Sequence, residues 1–225
     1  MRVELPEKQN MKFPKNFDAC PDCYYWPFYG RFYQKKLEML FDFIPAKGQT
    51  VLEIGFGAGI AFKELSKRFK KVFAIDVHPH FADVKSMMAN ENMKNIELLK
   101  HDIFKEPLDI PAPDYIFSSS VFEHIHPEPM ERGLIHIKQL LAKDGFFLVG
   151  FPLKSSVMNL NFKIYEKLVK PWVKGIYDFS VDKDHPSAEA EIVPLLEKHF
   201  NILEKKYYLN KMLKIYLCIK CQKKN

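Results

Sequence analysis

Glycine is scarce in this chain, nine in 225 residues, and three of the nine, Gly55, Gly57 and Gly59, fall within one short stretch. Long apolar runs are absent. The longest, Phe146 to Leu153, is far short of the roughly 20 residues a membrane-spanning helix needs. No apolar h-region follows the mixed charged and polar first residues, so no secretory signal is read there and a cytoplasmic protein is expected. Charge of one sign is not in large excess: 34 Lys and Arg against 28 Asp and Glu give +6. That balance tolerates acidic partners or an anionic membrane surface, and a lysine-rich solvated surface also explains it. The chain has four cysteines, which in a reducing compartment are not read as a disulfide framework. Repeats and low-complexity segments are missing too.

What is present is ordinary for one globular unit: 47% apolar and 28% charged residues, with room for a substantial core. Residues 1–33 read as a loose, proline-punctuated arm that ends in an aromatic cluster, Tyr24, Tyr25, Trp26, Phe28, Tyr29, Phe32 and Tyr33. The rest, 34–225, reads as the main domain. Its first helix fits Tyr33, Leu37, Leu40, Phe41 and Ile44 and stops at Pro45. Strands are then expected at 50–54, 72–76, 96–100, 114–119 and 145–151, alternating with helices at 60–70, 79–93 and 128–142. That rhythm predicts a parallel sheet with helices on both faces. Two final strands, Ile202–Leu209 and Leu213–Lys220, add an antiparallel hairpin. The fold class expected is α/β: a doubly wound, mostly parallel seven-stranded sheet closed by a C-terminal hairpin.

The glycines follow an apolar strand, Val51-Leu-Glu-Ile, that ends in a carboxylate, Glu53, and they precede a helix with Ala61, Leu65 and Phe69 on one face. Glycines so spaced let the backbone turn sharply and approach a ligand closely beside a helix N-terminus. A nucleotide-like ligand belongs there. Asp76 ends the next strand, near the distance of about 20 residues at which a carboxylate meets ribose hydroxyls. That spacing serves NAD and S-adenosylmethionine equally. Asp102 follows the third strand, where it suits the exocyclic amine of an adenine. Carboxylates at three successive strand ends would line the edge where open α/β folds bind ligands.

The series Val51-Leu-Glu-Ile-Gly-Phe-Gly-Ala-Gly, Val72-Phe-Ala-Ile-Asp, His101-Asp-Ile, Asp114-Tyr-Ile-Phe-Ser-Ser-Ser-Val-Phe-Glu-His and Leu141-Ala-Lys-Asp-Gly-Phe-Phe-Leu-Val resembles the class I S-adenosylmethionine-dependent methyltransferases, particularly the group that includes the ubiquinone-biosynthesis type. The resemblance covers roughly residues 48–152. It implies a Rossmann-like methyltransferase fold, with Glu53 behind the methionine amino group and Gly55, Gly57 and Gly59 in the cofactor loop. Asp76 would hold the ribose, with Val77 against the adenine. Asp102 and the Ile103 backbone would read the adenine edge, and Ser118 would offer its carbonyl to the amino group.

Glu123 and His124, past the fourth strand, stand where the resemblance places the acceptor, so they are the candidate catalytic pair; His126 and His185 rank below them. A histidine packed at a helix start is the other reading of His124. Some relatives bind a divalent metal through Glu-x-x-Glu-His, but this chain has Ser120-Val-Phe-Glu-His, so no metal is expected. Cys20-Pro-Asp-Cys23 and Cys218-Ile-Lys-Cys221 could supply four thiolates to zinc. Topology opposes it: the first helix carries one pair away from the other, and Cys218 and Cys221, three apart on a strand, face opposite sides. Independent thiols are expected. Tyr29, Arg31 and Tyr33 read either as a lid over the cofactor or as an aromatic cap on the helix layer.

Within 153–184, an expected substrate cover, residues 160–174 carry Lys163, Lys167 and Lys170 opposite an apolar face. They read either as a solvated surface helix or as a weak membrane-surface contact. The expected function is methyl transfer from S-adenosylmethionine to a small-molecule or lipid-like acceptor. RNA or protein methylation ranks behind it, because the charge is modest and no nucleic-acid module is appended. A non-catalytic nucleotide sensor and, last, an NAD-dependent dehydrogenase complete the alternatives.

Overall fold

A computed structural model of the chain describes residues 2–14, 17, 21–27, 29–45, 47–153, 186–209 and 214–224. Its elements, in order, are α1 (Tyr29–Phe41), β1 (Gly48–Ile54), α2 (Phe62–Arg68), β2 (Phe69–Asp76), α3 (Phe81–Asn90), β3 (Ile96–Lys100), β4 (Tyr115–Ser119), α4 (Pro127–Leu140), β5 (Phe146–Pro152), α5 (Glu189–His199), β6 (Phe200–Tyr207) and β7 (Tyr216–Lys223). The strands form one seven-stranded sheet in the order β3-β2-β1-β4-β5-β7-β6. Strands β1 to β5 run parallel. Strand β7 lies antiparallel between β5 and β6. The expected sheet and closing hairpin are both present.

Alternation along the strands sorts the core into two layers. Val51, Val72, Phe117 and Leu148 share one buried cluster with Leu40, Leu65 and Val84 from α1, α2 and α3. Their neighbours Leu52, Phe73, Ile116 and Phe147 pack in the other with Leu134, Ile137, Ile192 and Leu196 from α4 and α5. The last four residues of β1 are all buried, Glu53 among them, as in a parallel strand covered on both faces. At the other end of β1 the register is pinned: Asp114 Oδ2 accepts from the Thr50 N–H and hydroxyl, both at 2.9 Å.

The order places β1 between β2 and β4. From β1 the chain winds outward through β2 and β3, then crosses back to β4 on the other side. The switch point therefore lies at the carboxyl ends of β1 and β4, where a crevice opens between divergent connections.

Several expected boundaries shift. Helix α1 starts at Tyr29 rather than Tyr33, because the turn Pro21–Tyr25 and the Gly30 N–H to Trp26 carbonyl bond (2.9 Å) lead directly into it. Its far end is held by the buried Arg68, which donates to the carbonyls of Phe41 and Ile44 and pairs with Glu64. Strand β6 sits two residues before the expected one and β7 three residues after, with the connection 210–213 outside the described residues. Most of the expected cover, including 160–174, also lies outside them.

The arm is not loose where it is described. Val3, Met11 and Phe17 are buried in the first cluster. Glu64 accepts from the Glu4 N–H at 2.9 Å and Glu91 from the Glu7 N–H at 2.6 Å, while the Tyr25 hydroxyl donates to the Pro6 carbonyl. Apolar anchors spaced this widely have no helical or strand period, so pattern reading misses them.

Cys218 lies in the first cluster and Cys221 in the second, on opposite faces of β7, and both are free buried thiols. The expectation of independent thiols fails for Cys23, which is disulfide-bonded. An oxidised sulfur gives zinc no thiolate.

Phe147 is fully buried between the rings of Phe122 and Phe200. Phe147→Ala should therefore cost about 3–5 kcal/mol of unfolding free energy, read from urea denaturation. A loss below about 1 kcal/mol would contradict this packing.

Candidate active site

The glycine loop takes its shape from backbone angles that side chains resist. Gly55, Gly57 and Gly59 have φ of 72°, 51° and 70°. At Gly55 a Cβ would also lie 2.3 Å from Val121 Cγ2, so the loop passes against the segment that follows β4. The Gly55 N–H stays in the sheet, donating to the Ile75 carbonyl at 2.9 Å. Asp76 holds the next glycine, its Oδ2 accepting from the Gly57 N–H at 2.8 Å.

Glu53 is the most informative side chain here. It is 4% exposed, and its Oε2 is buried with no hydrogen-bond partner. Burial, then the charge of Asp76, pushes its carboxyl well above the usual range. A carboxylate left this way is costly, and a ligand cation aimed at it would relieve the cost. Among the described residues nothing supplies that cation, and the ammonium of an amino-acid-bearing nucleoside would. The residues present thus fit the group the glycine loop implies.

The other expected cofactor residues lie along the same edge. Val77 is 57% exposed and next to Asp76, as a residue covering a ring would be. Ser118 is buried opposite Ile54, with its hydroxyl donating to the Ile54 carbonyl at 3.2 Å. Asp102 follows β3 by two residues, but its carboxylate is used locally: Oδ1 accepts from the Phe104 N–H at 3.1 Å and Oδ2 pairs with Lys105 at 3.0 Å. Ile103 is buried and its carbonyl accepts from His136 Nδ1 at 2.8 Å, so its N–H is the group it can offer a ligand. Glu53 and Asp76 interact directly through their charges, whereas Asp102 shares only the edge with them.

The acceptor side holds a second buried carboxyl. Glu123, in the single turn Phe122–His124, is 2% exposed with Oε2 unpartnered. Burial pushes it up to about 8, against the nearby Lys36 charge. Burial likewise pulls Lys36 down to about 8, opposed by Glu123. The Lys36 ammonium lies 4.8, 4.7 and 5.0 Å from the ring centres of Phe32, Tyr33 and Tyr216. The Tyr216 hydroxyl meets those of Ser119 (3.0 Å) and Ser120 (3.2 Å). Ser120 holds φ at 57°, strain of the kind that gathers at working sites. His124 is exposed, its Nε2 4.0 Å from Glu123 Oε1. His126 is also exposed, and His185 lies outside the described residues. No group of His, Cys, Asp and Glu among the described residues is arranged to hold a metal.

Tyr24 reaches the cofactor side: burial, then Glu53, pushes its hydroxyl up, and its ring packs 5.5 Å from that of Tyr33. Arg31 instead pairs with Glu38 at 2.6 Å. Sequence reasoning missed Lys36, Tyr216 and His78. Only a lysine interrupting the apolar face of α1 hinted at the first.

The comparisons fit this geometry. Residues 51–145 match the family model of a methyltransferase domain. This match supports the resemblance to class I S-adenosylmethionine-dependent methyltransferases over that segment. Over 121 residues it is 35% identical to a probable ribosomal RNA small subunit methyltransferase A of Methanosphaera stadtmanae, covering 53% of this chain and 38% of that protein. Over 159 residues it is 28% identical to a ubiquinone biosynthesis O-methyltransferase of Coxiella burnetii, covering 68% of this chain and 64% of that protein. The chain therefore spans between 38% and 64% of the length of these two curated relatives. Among solved structures, the N-methyltransferase NodS of Bradyrhizobium japonicum with S-adenosyl-L-homocysteine superposes with a TM-score of 0.64 at 14% identity, over 97% of this chain and 96% of that one. A SAM-dependent methyltransferase of Aquifex aeolicus gives 0.60 at 22% identity, over 83% and 88%. At such identities the likeness is one of fold. The family match supports S-adenosylmethionine as the cofactor.

Two outcomes follow from the loop and the buried carboxyl. Gly55→Ala, with strained φ and a Cβ in Val121, should lower unfolding free energy by about 1–3 kcal/mol, read by thermal denaturation. The Glu123 carboxyl binds its proton more tightly folded than unfolded, from 4.5 up to about 8. The folded state therefore holds the extra proton across that window, and stability falls as pH rises through it. Glu123→Gln should flatten this fall in urea melts between pH 5 and 8, leaving the variant the more stable at pH 8. A variant following the wild-type slope would contradict the assignment.

Proposed function

We propose that the chain transfers a methyl group from S-adenosylmethionine to a small-molecule or lipid-like acceptor in the cytoplasm. The observation carrying the reading is the unpartnered Glu53 Oε2 at the end of β1, beside a glycine loop clasped by Asp76. When bound, the cofactor supplies a methyl group already activated on a sulfonium, so the protein mainly has to align an acceptor and exclude water. Glu53 would receive the cofactor's ammonium, with the Ser118 carbonyl beside it. Asp76 would accept the ribose hydroxyls, Val77 would cover the adenine, and Asp102 with the Ile103 N–H would read its edge. Gly55, Gly57 and Gly59 would let the backbone approach. Tyr24 and Tyr33 would close over the site as an aromatic lid.

On the acceptor side Glu123, once ionised as pH nears about 8, would take a proton from an acceptor that arrives protonated, with His124 at its rim. Supporting a compact acceptor are the enclosure of Glu123 and Lys36, both under 10% exposed, and the ubiquinone O-methyltransferase relative. An RNA acceptor is the second reading. It is favoured by the ribosomal RNA methyltransferase relative and opposed by the modest net charge of +6. Residues 153–184 remain the proposed acceptor cover, with weak membrane contact through 160–174.

Calorimetric titration with S-adenosylhomocysteine and with NADH tests the cofactor. Wild type should bind the former, and Asp76→Ala should weaken it by about 10-fold or more, the worth of lost hydrogen bonds to a charged group. Methyl release from tritiated cofactor onto small-molecule, RNA and protein fractions then separates the acceptors. Label appearing only in RNA would overturn the small-molecule reading.

A further inference from the structure

His78 is absorbed by neither the cofactor contacts nor the acceptor side, yet it touches the glycine loop directly. Its Nε2 lies 2.9 Å from the Gly57 carbonyl oxygen. The His80 N–H donates to His78 Nδ1 at 3.0 Å. Nδ1 therefore carries the lone pair, the proton sits on Nε2, and Nε2 donates to Gly57. Gly57 is gripped twice from the end of β2. Asp76 takes its N–H at 2.8 Å and His78 takes its carbonyl.

The imidazole is itself fixed by rings. Phe17 from the arm packs edge-on at 5.2 Å and Phe56 from the loop edge-on at 5.1 Å, while Phe81 from α3 lies tilted at 5.4 Å. Among the described residues, the charged and titratable groups near it are few. Asp76 Oδ2 lies 3.8 Å from Nε2. The ring of His80 is 6.0 Å away and engages Asp83 of α3 at 3.2 Å. The arm and the glycine loop present only the apolar rings of Phe17 and Phe56 to it.

We propose that His78 is a positioning residue of the cofactor site: as a neutral imidazole, backed by Phe17, it clamps Gly57 in the shape that receives S-adenosylmethionine. The proposal rests on the methyltransferase reading for its ligand but not for the clamp. Without the Nε2 donor the Gly57 carbonyl would be released, and the loop would lose one of the two bonds that hold it in the receiving shape.

The test compares the full-length wild type, His78→Leu and His78→Gln. Leucine keeps bulk and loses the donor, whereas the glutamine amide restores a donor that does not titrate. In the unliganded proteins, hydrogen exchange at the Gly57 amide should quicken by about 10-fold or more in His78→Leu and stay within about threefold of wild type in His78→Gln. S-adenosylhomocysteine affinity should drop by about 10-fold in His78→Leu at pH 8. The affinity of His78→Gln should stay within about threefold of wild type. Unchanged exchange in His78→Leu, or a His78→Gln affinity as low as that of His78→Leu, would overturn the clamp. A wild type that binds no S-adenosylhomocysteine, with exchange still quickened in His78→Leu, would sink the cofactor reading and support the clamp.

Discussion

A carboxyl group buried without a partner at the end of a central strand is expensive, and the architecture around Glu53 turns on that cost. Burial of an unpaired acid is relieved either by protonation or by a ligand cation. In the unliganded protein burial, and then the negative charge of Asp76 on the neighbouring strand, pushes the carboxyl well above its usual range. The two acids share an edge because β1 and β2 pair in parallel register, Ile54 opposite Ile75. The energetic strain is thus local and oriented. It is discharged by something positive entering between the glycine loop and β4.

The loop that guards this entrance is held from outside as well as by its own glycines. Asp76 and His78 reach it from β2, and Val121 blocks it on the β4 side. The arm adds Phe17 against His78 and His80. A segment distant in sequence therefore packs behind the loop, where Phe56 is the one large side chain that residues 55–59 supply.

Much of this was legible in the sequence where the signal is local. Gly55, Gly57 and Gly59 after an apolar strand, and an acid ending each of the first two strands, need no tertiary information to be noticed. β3 falls on the expected residues, 96–100, because its apolar run is bounded sharply by Asn95 and His101. What escaped depends on contacts across the chain. Tyr216 meets Ser119 and Ser120 from 97 and 96 positions away, and no spacing rule joins them. The arm's anchors, Val3, Met11 and Phe17, lack any period, so they read as unstructured. Asp102 adds a local detail that position does not reveal: two residues past β3, its carboxylate turns back to the Phe104 amide and Lys105.

The two buried carboxyls divide the site by electrostatics. Glu53 sits beside another acid, so its half of the crevice gains from an incoming cation and repels an anion. Glu123 sits near Lys36, so its half is close to balanced, and a proton can pass between carboxyl and acceptor without leaving a large net charge. A methyl-group donor that carries an ammonium would be drawn to the first half; methyl transfer removes its sulfonium charge and leaves the ammonium in place. The second half would handle the proton released by the acceptor. That polarity follows from which strand each acid ends or follows, β1 for Glu53 and β4 for Glu123, and so from the sheet order rather than from the chemistry of either residue alone.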